Sequence, residues 1–335
     1  MMADYAHEWT DRQIAELTRT MDGEYRKAFR EMKRKVEQSA KEYARELAVW
    51  EKRVKEEPEL KRAFNAWKRR ESLRMGAQQD LLDSLAELLT HANEDAIRHV
   101  NGLLPKVYAE NANYATYNIE RMGRIDTSFT LLNQDAVNRI MADFPDLLPA
   151  IPSPKVDVLA DLAWNKRKFN SAITQGILQG ESVPDIAKRI CSVVNMGESA
   201  AIRAARTATT SAENGGRMAA FERAEGMGIK MQREWMATLD GHTRQAHREL
   251  DGQRVPMGEP FKVDGYHIDY PGDPSAPGYL VYNCRCSVDG VIDEVKDDTL
   301  PRASKLGGVS YEEWKAGHPV AEGRWGTMVW NPGEL

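Results

Sequence analysis

Three side chains able to hold a metal ion stand in the last third of the sequence: His247, Cys284 and Cys286. Zinc takes thiolates and imidazoles at the corners of a tetrahedron. These residues supply three corners, and His242, Asp240, Asp251 or His267 could supply the fourth. A Cys-x-Cys pair is a poorer ligand signature than Cys-x-x-Cys. The alternative stays open that His247 bonds within a turn while both cysteines pack as small apolar groups. Two cysteines one residue apart are poorly placed to bond each other. With Cys191 the count is odd, which does not suggest a disulfide framework and fits a reducing compartment.

Hydrolysis would draw on Asp240, His242, His247 and Asp273. The His-Glu-x-x-His helix of zinc proteases is absent. Lone Asp and His residues beside Gly and Pro more often form turns and caps, so no catalytic residue is assigned. Phosphate-loop and dinucleotide glycine patterns are absent too, since Gly215-Gly216 sits in a helical stretch without the lysine.

The net charge of -5 rules out a whole-molecule electrostatic glove for nucleic acid, so any such contact needs a local patch. The candidate is the stretch from Lys61 to Arg74. Lys61, Arg62, Lys68, Arg69, Arg70 and Arg74 give six cations against one anion, with Phe64 and Trp67 interleaved. Cations near phosphate release counterions and strengthen binding. The competing reading is a solvated helix face balanced by Glu56, Glu57 and Glu59.

The elements that must carry these residues are mostly helical. From Tyr25, apolar residues fall at Phe29, Met32, Val36, Ala40, Tyr43, Leu47, Trp50 and Val54. Steps of three and four keep one stripe on one face. A strict heptad would drift from that spacing, so a long straight helix in a bundle is expected. Pro58 should break it. A second helical stretch covers roughly 59–99, with Leu81, Leu82, Leu85, Leu88 and Leu89 as its apolar face. Pro145, Pro149, Pro152 and Pro154 mark a joint. Helical pattern resumes through Trp164, Phe169 and Ile173. A start follows at Ser182-Val-Pro184, and an Ala-rich helix over 198–225 stops at Gly226 and Gly228. Beyond it the texture becomes strands and turns, with one short helix near 243–250. A tail with Tyr311, Trp314, Trp325 and Trp330 should dock on something.

The expected fold class is mainly α: a long-helix N-terminal region followed by a small α+β, turn-rich C-terminal module. At 335 residues, with 41% hydrophobic side chains, two or three domains are expected. The boundaries read as a helical docking region 1–150, a middle helical region 151–228, the module 229–296 and a tail 297–335. No run of eighteen apolar residues exists, so no membrane span is expected. The N-terminus lacks a basic-then-apolar leader, so no secretion by that route is expected.

One motif spans the module: Trp235, Asp240, Thr243-Arg244-Gln-Ala-His247, Leu250-Asp251-Gly252, Pro271-Gly-Asp273-Pro274 and Asn283-Cys284-Arg285-Cys286. It resembles the C-terminal signature of the phage head morphogenesis family, the Mu F-like minor head proteins. The resemblance extends over about 156–290. It implies a structural virion protein, not an enzyme, enclosed in the capsid near the portal and assembled in the host cytoplasm. Its implied partners are the portal protein, other head proteins and packaged double-stranded DNA, with a role in head morphogenesis and in DNA packaging or ejection. No cofactor is required, and zinc is the one candidate. Some members carry Thr-Cys-x-x-Cys and a His-Pro that complete a zinc set. This chain has Arg244 at the first of those cysteines and Val281-Tyr282 at the His-Pro. The residues Trp235, Asp240, Arg244, His247, Asp251, Gly252, Cys284, Arg285 and Cys286 are expected to hold the module together, with a buried Arg285 paired to Asp240 or Asp251. Some relatives carry fused toxin domains, including ADP-ribosyltransferases. The Glu-x-Glu of arginine-modifying transferases is absent after residue 229, and Glu57-Pro-Glu59 lies at a helix break. The alternatives are an enzyme on the module, either a metal-dependent hydrolase or a toxin-like transferase, and a DNA-binding virion protein.

Overall fold

A computed structural model describes residues 4–76, 79–143, 154–179, 181, 183–295 and 308–320. Helix α1 runs Tyr5–Glu56 without interruption. It stops just before Pro58, whose ring cannot continue a helix and which opens a 3-10 turn, Pro58–Leu60. Helix α2 follows over Lys61–Gly76 and α3 over Gln79–Gly123. Next come α4 (Gln134–Asp143), α5 (Val158–Leu178) and α6 (Val183–Gly226). The two helices expected around 182 and over 198–225 are therefore one. Ala-rich sequence has high helix propensity, and no Pro or capping break interrupts it between Asp185 and Gly226. Ser182, the expected cap, lies outside the described residues.

The chain divides into two compact units that do not follow chain order. One holds residues 17–99 and 155–202, and the other holds 1–16, 100–154 and 203–335. The four segments expected from sequence divide the chain along different lines.

The first unit is all helix. The α1 stripe buries Met21, Tyr25, Met32 and Val36, and α3 answers with Leu82, Leu85 and Leu89. Phe169 and Ile173 of α5 and Ile186 and Ile190 of α6 complete the core. Polar side chains are paired across it, as burial favours. The Tyr25 hydroxyl donates to Asn93 Oδ1 at 2.7 Å, and Asn93 Nδ2 donates to Asp161 at 2.7 Å. These bonds cross-link α1, α3 and α5.

The second unit carries the α+β module. Strand β1 (Ile229–Met236) alternates buried and partly exposed residues, as a strand with one covered face must. It lies between β2 (Arg254–Pro256) and β5 (Ser287–Val295), all antiparallel, with Trp235 opposite Val288 and Arg233 opposite Val255. A separate hairpin pairs β3 (Phe261–Val263) with β4 (Tyr266–Ile268). Short helices α7 (Gln245–Leu250) and α8 (Gly278–Val281) fill the connections. Helix α9 (Tyr311–Ala316) opens on a capping box, Ser310 with Glu313. It packs Tyr311 and Trp314 against Tyr117, Phe129 and Leu131. Trp314 Nε1 donates to the buried Glu120 carboxylate at 2.6 Å. The tail thus docks through its first aromatic pair, while Trp325 and Trp330 lie outside the described residues. Among the described residues no helix is long and apolar enough to cross a membrane.

Candidate functional site: the His-Cys-Cys cleft

The motif residues converge because α6 presents a polar face to them. Thr207, Thr210, Asn214 and Arg217 recur at helical spacing, which places them on one side of α6. The Asn283 amide donates to Thr207 Oγ1 at 3.2 Å. Thr210 donates to the Cys284 carbonyl at 2.7 Å. Asn214 donates to the Cys286 carbonyl at 3.2 Å and accepts from the Val288 amide at 2.8 Å. Arg217 donates to Asp289 at 2.7 Å. The Asn283–Cys286 turn is therefore held residue by residue against one helix. Asn283 itself takes φ +56, the left-handed region that Asn tolerates.

Within this frame His247, Cys284 and Cys286 meet, all buried, with their ligating atoms within 4.8 Å of one another. His247 Nδ1 stands 3.7 Å from Cys284 Sγ and 3.4 Å from Cys286 Sγ. Its other nitrogen, Nε2, lies 2.8 Å from the Leu280 carbonyl. A carbonyl only accepts, so Nε2 carries a proton, and Nδ1 faces the two sulfurs. The hydrogen bond from Cys284, with the bond and charge of His247, draws the Cys286 thiol down to about 5 against burial. Cys284, bonded to Cys286 and buried, is pushed up. The pair thus holds one proton more tightly than the other. A cleft of about 20 Å³ adjoins the three residues, lined also by Thr238, His242, Thr243, Arg244, Asn283 and Arg285. That is room for about one water molecule or ion.

The rest of the motif braces the cleft. Trp235, fully buried, meets the His247 ring edge-on at 5.8 Å and Phe261 at 5.3 Å. Arg244 donates to the Tyr282 carbonyl. Asp251 accepts from the Ala237 amide at 2.8 Å, and Gly252 takes φ +74 in the turn beyond it. Arg285 forks onto Asp240 at 2.6 and 2.8 Å. The hydrogen bond from Arg285 and that from the His242 amide hold the Asp240 carboxyl well below the usual carboxylate range. Both side chains of this pair are 36% exposed, so Arg285 is not the buried arginine that sequence suggested. The reason is local: the turn after Asp240 lies at the surface, and solvent reaches the fork. His242 lines the cleft but contributes no atom to the buried cluster. Asp273 is spent on its own loop, accepting from Ser275 and from the Asp269 amide. His267 lies exposed on β4.

The basic stretch falls on α2, in the other unit. Lys61, Arg62, Lys68 and Arg70 are exposed, while the side chains of Arg69 and Arg74 lie outside the described residues. Phe64 and Trp67 stack on Trp50 of α1 at 6.1 and 5.8 Å, and Trp67 is only 6% exposed. The interleaved aromatics join two helices and are not open to stack on bases.

Sequence reasoning missed the buried charge centre of the second unit. Arg217, 2% exposed, meets Asp4 at 2.7 Å, Asp289 at 2.7 Å and Glu213 at 3.5 Å, and His7 meets Glu213 at 2.7 Å. The available signal was the polar face of an otherwise Ala-rich helix: Thr207, Thr210, Asn214 and Arg217 recur at one helical spacing.

Residues 167–289 match the family described as Phage Mu protein F like protein. Over 280 residues the chain is 29% identical to the NAD(+)--arginine ADP-ribosyltransferase EFV of Enterococcus faecalis, covering 82% of this chain and 55% of that protein. Over 248 residues it is 28% identical to the Minor head protein GP7 of Bacillus phage SPP1, covering 70% of this chain and 76% of that protein. An uncharacterized protein of Haemophilus influenzae is 28% identical over 199 residues, 58% of this chain and 38% of its own length. No solved structure matches the chain.

Proposed function

From the match of residues 167–289 to the family described as Phage Mu protein F like protein, we propose that this chain is a structural minor head protein. The observation that carries the reading is the likeness to Minor head protein GP7, which extends over most of both chains. In this reading the protein is enclosed in the virion beside the portal and assembles there in the host cytoplasm. It acts in head morphogenesis and in DNA packaging or ejection. The helical region 1–150 docks on the portal, and the module 229–296 is the braced body. Support for the docking side comes from α1, whose second half leaves Val49 60% exposed and Leu47, Trp50 and Val54 only partly covered. Packaged double-stranded DNA and other head proteins are the further partners, with the exposed cations of α2 facing the DNA phosphates.

The test is co-purification of the full-length chain with the portal protein of the same phage, followed by cross-linking. A stable complex with cross-links concentrated in 1–150 is expected. Failure to co-purify under assembly conditions overturns the portal reading, and cross-links confined to 229–296 overturn the docking side.

A second reading is favoured by the transferase-named relative, of which this chain spans about half the length. Against it stand the uses of the module's acids and imidazole. Asp240 is forked by Arg285, Asp273 holds its loop, and His247 faces two sulfurs and a carbonyl. Each is engaged in holding the fold, which supports a structural role. Incubating the chain with NAD+ and an arginine-bearing acceptor should transfer no ADP-ribose. Transfer above a heat-treated control would replace the structural reading with an enzymatic one.

A further inference from the structure

We propose that His247, Cys284 and Cys286 bind one zinc ion through three protein ligands, leaving the fourth position to a water or an incoming donor. A tetrahedral zinc with bonds of about 2.3 Å to sulfur and about 2.0–2.1 Å to nitrogen sets the N···S edge at about 3.5–3.6 Å. The observed edges of 3.4 and 3.7 Å bracket it. The donor set is two soft thiolates and one imidazole, which selects zinc over magnesium or calcium.

The surroundings fit a ligand site as well. A metal-bound imidazole needs its other nitrogen anchored to fix the ring and tautomer, and Leu280 does this for Nε2. The Cys286 amide points at Cys284 Sγ at 3.4 Å, a donor well placed for a thiolate. Thr210 and Asn214 hold the Cys284 and Cys286 carbonyls, so the two sulfurs are aimed before any ion arrives. As the Zn–S bonds form, the thiol protons leave to solvent.

Among the described residues no fourth His, Cys, Asp or Glu joins the cluster. The adjoining cleft of about 20 Å³ is lined by His247, Cys284 and Cys286 and by Arg244, and has room for that donor. A guanidinium there favours an anionic or neutral fourth ligand. Three protein ligands with an open position distinguish this centre from a closed four-ligand structural site. The proposal stands apart from the head-protein reading, since a metal content is measured without any portal.

The experiment uses the full-length reduced chain, produced without a histidine tag. Elemental analysis should find about one zinc per chain. Cobalt replacement should give a thiolate-to-cobalt charge-transfer band and the visible bands of a tetrahedral ion. Added azide should shift those bands. Peptide-resolved alkylation should find Cys284 and Cys286 at least about tenfold more reactive after chelation, with Cys191 unchanged as internal control. Less than about a fifth of an equivalent of zinc, together with a cobalt titration lacking the charge-transfer band, overturns the site. A cobalt spectrum indifferent to azide overturns the open position. Cys286→Ser and His247→Ala should each abolish stoichiometric metal. The cobalt measurement on the native chain decides the matter even where those variants fail to fold.

Discussion

Asn214 donates to the Cys286 carbonyl and accepts from the Val288 amide, so one buried side chain holds both sides of the entry into β5. Asn214→Ala leaves an amide and a carbonyl buried without partners. That costs about 1–3 kcal/mol per unpaired group, so a loss of roughly 2–4 kcal/mol is expected in a denaturant titration. Arg285→Ala should behave differently. Its fork onto Asp240 is short, but both side chains are 36% exposed to solvent. Exposed ion pairs contribute little, so the thermal midpoint should fall by no more than about 3 °C. A larger fall would mean that Arg285 does more than pair with Asp240. The contrast shows why the motif was legible and its energetics were not. Asn-Cys-Arg-Cys stands out as a string, but burial depends on a helix some seventy residues earlier in the chain.

At the scale of elements, the approach of α3 to α6 sets the second unit. A Cβ at Gly216 would lie 2.3 Å from the Tyr108 carbonyl oxygen, a backbone atom that cannot swing aside. Gly216→Ala must therefore move one helix off the other. Overpacking of this kind costs about 1–3 kcal/mol, and a circular-dichroism melt should show it. Gly215→Ala serves as the comparison on the neighbouring position. Gly272 makes a similar approach from the loop side, where a Cβ would meet the Ser211 amide nitrogen at 2.8 Å. The elements themselves were largely legible. The α1 stripe, the stop at Pro58, the strand after Gly228 and the short helix near 245 follow from periodicity and turn chemistry. The length of α6 was not, because Asn195 and Gly197, just before the Ala-rich stretch, imitate a break.

For the whole molecule, the charge centre of the second unit gives a pH signature. Burial pulls the His7 imidazole down, but the charge and hydrogen bond of Glu213 outweigh it and raise His7 from 6.5 to about 9. Asp11 adds to the rise, and Arg217 opposes it. Glu213 is itself raised by burial, against the pull of His7 and Arg217. A folded pKa above the unfolded one stabilises fully below the unfolded value and is lost as pH rises through the folded value. Stability should thus fall between about pH 6.5 and pH 9, by on the order of 2–3 kcal/mol. Denaturant titrations across that window should show the fall, and His7→Gln should flatten it. A His7→Gln slope equal to that of the native chain would remove His7 from the account.

The sequence by itself determined the fold class, the family resemblance and the composition of the cleft. Helical period, turn residues and the Trp235–Cys286 motif are local properties, and local rules read them. Tertiary structure alone decided which residues are spent on one another. Phe64 and Trp67, interleaved with cations in the sequence, are covered by Trp50 once α2 folds back on α1. Arg217, one of four arginines in the Ala-rich run 198–225, becomes the centre of three carboxylates drawn from the N-terminus, its own helix and β5. The orientation of His247, with Nε2 on Leu280 and Nδ1 toward two sulfurs, likewise depends on partners more than thirty residues away. The physical reason is that desolvation and hydrogen-bond geometry belong to pairs of groups, and those pairs form only when distant segments meet.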